Sequence, residues 1–318
     1  MSEPSPSPRR RGRLLRFGAA LVVLLALTGY LAVQYLTGSA APRCRVVSDK
    51  GEKRSYEFSP EQAVNAATIS AVGTTRDLPE RAVTIALATA LQESALRNID
   101  HGDRDSIGLF QQRPSQGWGT TKQIMDPTYS ASAFYEHLVK VPDYQELPLT
   151  VAAQRVQRSG FPDAYAKHEP DAALLAAALT GRSAATLTCQ GRPATTPNGG
   201  PDAVRAALVR DFGRDVLQTT GAEGGTGQSA EPSPAPRKPA ANAVTVPVPH
   251  KPAASGTPAE QGWELAHWAV ANSSALHISR VSFAGREWSR GGFAGQWRTT
   301  GDAGAATSAS EVRIVTGE

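Results

Sequence analysis

Cysteine, methionine and histidine are all scarce in this chain of 318 residues, at two, two and six. No Cys-x-x-Cys pair occurs and the histidines are scattered, so neither a structural zinc site nor a metal-transport role has support, and no metal ligand is assigned. A strong charge of one sign is missing too. Lys and Arg number 33 against 29 Asp and Glu, and much of that surplus sits in the N-terminal arm, which leaves nucleic-acid binding without a basis. Hydrophobic residues make up 40% of the chain, enough for one or two packed cores.

One long uncharged run is present. Residues 1–16 are polar and end in the basic cluster Arg9 to Arg16, and the uncharged stretch 17–36 that follows has the length of a bilayer span. The basic flank places a cytoplasmic tail at 1–16, a transmembrane helix at 17–36 and the remaining chain outside, as a single-pass protein of the cell membrane. A cleaved signal peptide is the rival reading, because Gly38 to Ala41 are small residues. Exported, Cys44 and Cys189 are expected to pair; the alternative is two buried thiols.

The chemistry-bearing stretch is TIALATALQESALRNIDHGDRDSIGLFQQRP, Thr84 to Pro114. Asp77 and Glu80 fit a capping box with Pro79 in the first turn, so a helix is expected from about Leu78. Stepping back from Glu93 at helical spacing meets Ala90, Thr89, Ala86, Ile85 and Ala82, which puts this carboxylate on a small, mostly apolar stripe. Burial and the negative end of the helix dipole both raise its pKa, as a general acid requires. The bland alternative is a buried Glu paired with Arg97 or Arg104.

ALQES, followed by Ser106-x-Gly108-Leu109-Phe110-Gln111 and Pro114, resembles the signature of the lysozyme-like lytic transglycosylases of the SLT family. DPTYSASAFYEHL, Asp126 to Leu138, is similar to that family's next helix. The resemblance implies a mainly α, lysozyme-like α+β fold and an extracytoplasmic domain at 44–190. It also implies cleavage of the MurNAc-GlcNAc β-1,4 bond of peptidoglycan, with Glu93 as the single general acid and base and no cofactor. Under it Ser106, Gln111, Gln112 and Trp118 are candidate substrate contacts. Where the family carries Ala-Tyr-Asn-x-Gly, this chain reads VAAQRVQRSGFPDAY, Val151 to Tyr165, with Gln154 or Gln157 as substitutes. A muramidase would use a second carboxylate, for which Asp103 and Asp105 are the candidates, although Asp also suits turns. The alternative is a non-catalytic peptidoglycan-binding or scaffold protein of the cell envelope.

Further helices are expected from a capping box at Ser59 and Gln62, from Asp126-Pro127, from Thr150, and around Pro170. Residues 191–259 read as a linker with one helix at about 201–217 and a disordered stretch from Gly221 to Thr257. Residues 260–318 read as a small α+β module of one helix and three strands, a candidate contact for an envelope partner. Trp263, Trp268, Trp288 and Trp297 form its core if buried, and a glycan or partner surface if exposed.

Overall fold

The computed structural model describes residues 18–30, 42–49, 54–161, 163–191, 199–218, 242–248, 256–290, 296–300 and 309–317. Two compact units divide the chain, residues 1–41 and 42–318.

In the first unit a helix, α1, covers 18–30. At 1.5 Å per residue these described residues extend roughly 20 Å, against about 30 Å of hydrocarbon in a bilayer. No helix among the described residues is long and apolar enough to cross a membrane. This overturns the expected transmembrane helix at 17–36 and the single-pass placement with a cytoplasmic N-terminus; positions 17 and 31–36 lie outside the described residues.

The second unit begins with β1 (Arg43–Val47) and β2 (Ser55–Phe58), followed by α2 (Pro60–Thr74) and α3 (Glu80–Ser94). Next come α4 (Thr121–Ile124), α5 (Pro127–Leu138), α6 (Leu149–Gln157), α7 (Glu169–Leu179) and β3 (Leu187–Gln190). The remainder is α8 (Pro201–Phe212), β4 (Ala243–Pro247), α9 (Pro258–Ala271), β5 (Ile278–Phe283), β6 (Arg286–Ser289), β7 (Arg298–Thr299) and β8 (Glu311–Thr316). The chain is about half helical with two antiparallel sheets, ordered β2-β1-β3 and β4-β8-β5-β6-β7. That replaces the expected series of anchor, mainly α domain and separate α+β module.

Local sequence explains several elements. The capping box at the start of α2 forms: Ser59 accepts from Gln62 N, and the Gln62 side chain accepts from Ser59 N. The Asp126 carboxylate caps α5. The box expected at Asp77 and Glu80 does not form. Asp77 has φ 56°, Pro79 is the N-cap of α3, and the Glu80 carboxylate instead accepts from Arg182 and Thr180. A tertiary partner has outbid the local one.

Helix α3 is the axis of the core. Ala82, Val83, Ile85, Ala86, Leu87, Ala88 and Ala90 are fully buried, because α2, α5, α6 and α7 pack around it. Small residues let these helices approach, and each fully buried leucine or isoleucine adds about 1.5–3 kcal/mol. Arg81 on α3 donates to Glu169 of α7 at 2.7 Å and to Leu147 O at 2.9 Å, fixing the N-terminal end of the helix.

Cys44 and Cys189 are cross-strand neighbours in β1 and β3 and form a disulfide, so the expected bridge is present. The second half of the chain continues the same core. Helix α9 packs on one side against α2, α7 and β3 and on the other against β5 and β8, so Trp263 through Ala271 are all buried. Gly181, at φ 76°, lies against the first turn of α9, where a Cβ would collide with Glu260 O. Trp263, Trp268, Trp288 and Trp297 are buried in this shared core. Part of the stretch expected to be disordered is ordered: β4 pairs along β8 from Ala243↔Val315 to Pro247↔Glu311.

Candidate functional site

Glu93 stands one residue before the end of α3, where the helix turns out through left-handed Ala95 and Leu96 at φ 53° and 59°. The reversal is held by its neighbour: Ser94 Oγ donates to Leu109 O at 2.8 Å, which ties the helix end to the Gly-Leu-Phe-Gln turn. Gly108 N donates to Ile99 O at 2.7 Å, and Ile107 and Gln112 exchange backbone hydrogen bonds at 3.0 Å across the turn. Gly108 adopts φ 78°, and a Cβ there would lie 2.8 Å from Ile124 O, so the turn needs glycine on two counts.

The Glu93 side chain is half-buried on the wall of a cleft of about 860 Å³. Burial raises its pKa; hydrogen bonds from Tyr165 and Gln157 oppose the rise without cancelling it. Tyr165 is fully buried and donates to Glu93 Oε1 at 2.6 Å, its own pKa raised by burial and by the carboxylate beside it. The Gln157 amide donates to Phe110 O at 2.7 Å, so one side chain bridges the turn and the carboxylate. No ion pair joins Glu93 to Arg97 or Arg104 among the described residues, which removes the bland alternative.

The cleft gathers many of the candidates. Asp103, Ser106, Gln111, Gln112 and Trp118 line it with Glu93, opposite Val156 to Phe161. Gln111 Nε2 and Gln112 Nε2 are both engaged with backbone carbonyls, of His101 and Gly108 and of Ser130. Gln112 Oε1 is buried with no hydrogen-bond partner. Trp118 stacks on His137, ring centroids 4.2 Å apart, and keeps part of its surface toward the cleft.

Two candidates lie elsewhere. Gln154 donates to Ser159 O at 2.8 Å and is not in the cleft wall; Gln157, one helical turn on, takes the place expected of it. Asp105 accepts from Arg113 Nε at 2.6 Å and from Ser115 N at 2.8 Å, and these bonds hold its carboxyl well below the usual range. It is a loop brace, which leaves Asp103 as the second carboxylate of the cleft. Tyr165 closes the VAAQRVQRSGFPDAY stretch, and no sequence spacing connects it with Glu93; only the packing of α7 and its leading turn on α3 does.

Residues 204–310 match the family model described as VldE, C-terminal domain. Among curated proteins, none matches the chain. The matched stretch starts inside α8, stops before β8 and contains none of the cleft residues, so it is a likeness of the second half of the chain only. In that half several buried polar groups have partners within the fold, whereas Trp288 Nε1 and Gln261 Oε1 are buried without one. Asp211 accepts from Trp268 Nε1 at 2.8 Å and from Thr68, and Trp297 Nε1 donates to Leu187 O at 2.9 Å. The four tryptophans are therefore committed to the core and not to a glycan surface.

Proposed function

We propose that the chain cleaves peptidoglycan glycan strands with Glu93 as the acid. The observation that carries this reading is a half-buried carboxyl with a raised pKa, facing a polar cleft large enough for several sugar rings and held in place by Tyr165 and Gln157. In this mechanism protonated Glu93 gives its proton to the glycosidic oxygen, the C1–O bond breaks, and the leaving sugar departs as an alcohol. Charge then develops on the Glu93 carboxylate. The Tyr165 hydroxyl already points at Oε1, so its hydrogen bond strengthens as the proton leaves. The cation at C1 is closed by the 6-hydroxyl of the same muramic residue or by water, and either nucleophile returns its proton to Glu93. The one-carboxylate route to an anhydro product needs nothing more from the protein. A hydrolytic route would recruit Asp103, since Asp105 is bound to Arg113.

The test is mass spectrometry of soluble products after the disulfide-intact full chain is incubated with purified sacculi. Anhydromuramic products establish a transglycosylase, and reducing ends establish a muramidase. No product from folded wild type, with sacculus binding that persists in Glu93→Gln, replaces this reading with a wall-binding scaffold.

A further inference from the structure

The charges around the cleft do not match a neutral sugar chain. Five basic side chains line it, Arg104, Arg113, Lys140, Arg155 and Arg158, against two carboxylates, Glu93 and Asp103. Arg113 is neutralised by Asp105 at 2.6 Å. Among the described residues the other four make no ion pair, and all four are exposed. Of the two carboxylates facing them, burial raises the pKa of Glu93. Outside the cleft and the basic N-terminal arm, acids slightly outnumber bases, which makes this surplus local.

Three of the four share one side. Lys140 follows the end of α5, and Arg155 and Arg158 stand at the end of α6, which packs on α5. Two of these charges reach His137, which titrates below its ordinary value first through burial and then through Lys140; Glu136 opposes the fall and Arg158 adds to it. Cations at helix C-termini complement the dipole without any ligand. That accounts for three charges near two helix ends but not for Arg104, in the loop after α3, nor for Phe161, which is 75% exposed and also lines the cleft.

We infer that the Lys140, Arg155 and Arg158 edge of the cleft binds carboxylates carried on the glycan strand, so that the enzyme selects strands bearing acidic peptide substituents over neutral N-acetyl sugar chains. This rests on the glycan-cleaving reading. An N-acetylhexosamine backbone has no charge of its own. Carboxylates reach such a cleft from a peptide substituent or from the lactyl ether once the peptide is removed. Clustered guanidiniums suit them, because each can bind a carboxylate through two parallel hydrogen bonds.

The experiment titrates the full chain carrying Glu93→Gln with three probes: peptide-bearing strands, the same strands with peptide removed, and neutral chitohexaose. Binding is read by calorimetry at low and at high salt. The expected result is about tenfold tighter binding of peptide-bearing strands than of chitohexaose, about 1.4 kcal/mol. That advantage is lost at high salt and in Lys140→Gln/Arg155→Gln/Arg158→Gln, while chitohexaose affinity stays unchanged. Intermediate affinity for peptide-free strands assigns part of the contact to the lactyl carboxylate; affinity equal to chitohexaose assigns it all to the peptide. Equal affinity for all three probes overturns the inference, as does an advantage that survives the triple variant or high salt. Binding of none of them by a folded protein instead sinks the glycan-cleaving reading beneath it.

Discussion

Glu93 and Glu264 are both carboxylates that burial pushes above the ordinary glutamate value, and both project from helices of the same core, yet only one is placed to meet a ligand. Glu93 opens on the cleft and receives hydrogen bonds from Tyr165 and Gln157 that favour its ionised form. Glu264 is sealed between α9 and α2, takes one hydrogen bond from Thr74, and is pushed up to about 8. A raised pKa is thus a property of burial, and chemistry further requires access and groups that stabilise the charge once the proton has gone.

Removing each carboxylate in turn separates the two positions most widely. Glu93→Gln is expected to lower release of soluble glycan fragments by about a thousandfold or more, whereas Glu264→Gln, a near-isosteric match for the protonated form, leaves release within about twofold. Comparable losses in both variants, with both folded by circular dichroism, would erase the distinction.

Reducing the Cys44–Cys189 bridge acts on the frame common to both sites. It is expected to cost about 3–5 kcal/mol, read as a lower urea midpoint with reductant. An unchanged midpoint would mean that strand pairing alone holds β1 to β3.

Glu264 and its helix neighbour His267 sharpen the contrast through pH. His267 is buried, with Nδ1 against Ala178 O at 2.7 Å and Nε2 accepting from Thr186 N, and burial brings it down to about 4. Its contribution to stability is present above the unfolded value of 6.5 and is lost as pH falls toward 4. Glu264 does the reverse: its contribution is present below 4.5 and is lost as pH rises toward 8. The opposing slopes cancel between about 4.5 and 6.5, so the urea midpoint should be flat there and fall from pH 6.5 to 8, by about 2 kcal/mol. Glu264→Gln removes that alkaline fall.

The smallest expected effect is on the pH dependence of turnover. The acid must be protonated, so activity falls as pH rises through the Glu93 pKa. Tyr165→Phe deletes a hydrogen bond that lowers this pKa, so the alkaline limb moves to higher pH while the maximal rate drops. A limb that moves down would mean that Tyr165 does not donate to the ionised carboxylate.

Local signals carried the helical part of the fold. Ser59-Pro60-Glu61-Gln62 and Asp126-Pro127 read correctly because a cap is satisfied within three residues, and the stripe behind Glu93 read correctly because a helix fully enclosed by helices shows small and apolar residues all round. Long-range competition defeated the rest. Glu80 left its cap for Arg182, and Tyr165 reaches Glu93 across 72 positions of sequence. Strand β4 was masked by the Pro and Ala around it, although Val244, Val246 and Val248 alternate inward as a strand requires. The uncharged run at 17–36 had the composition of a span, but no helix among the described residues is long and apolar enough to cross a membrane.

The docking of α9 also sets an order of events. A chain made from its N-terminus completes α3, the cleft turn and the Cys44–Cys189 pair while the alanine-rich sides of α2 and α7 that receive α9 are still bare. They are covered only when residues 257–271 arrive, and α9 in turn waits for β5 and β8 to cover its far side. Folding is therefore expected to show an early phase that forms the cleft and a slow one that completes the core. An intermediate at that stage would already hold Glu93 beside Tyr165.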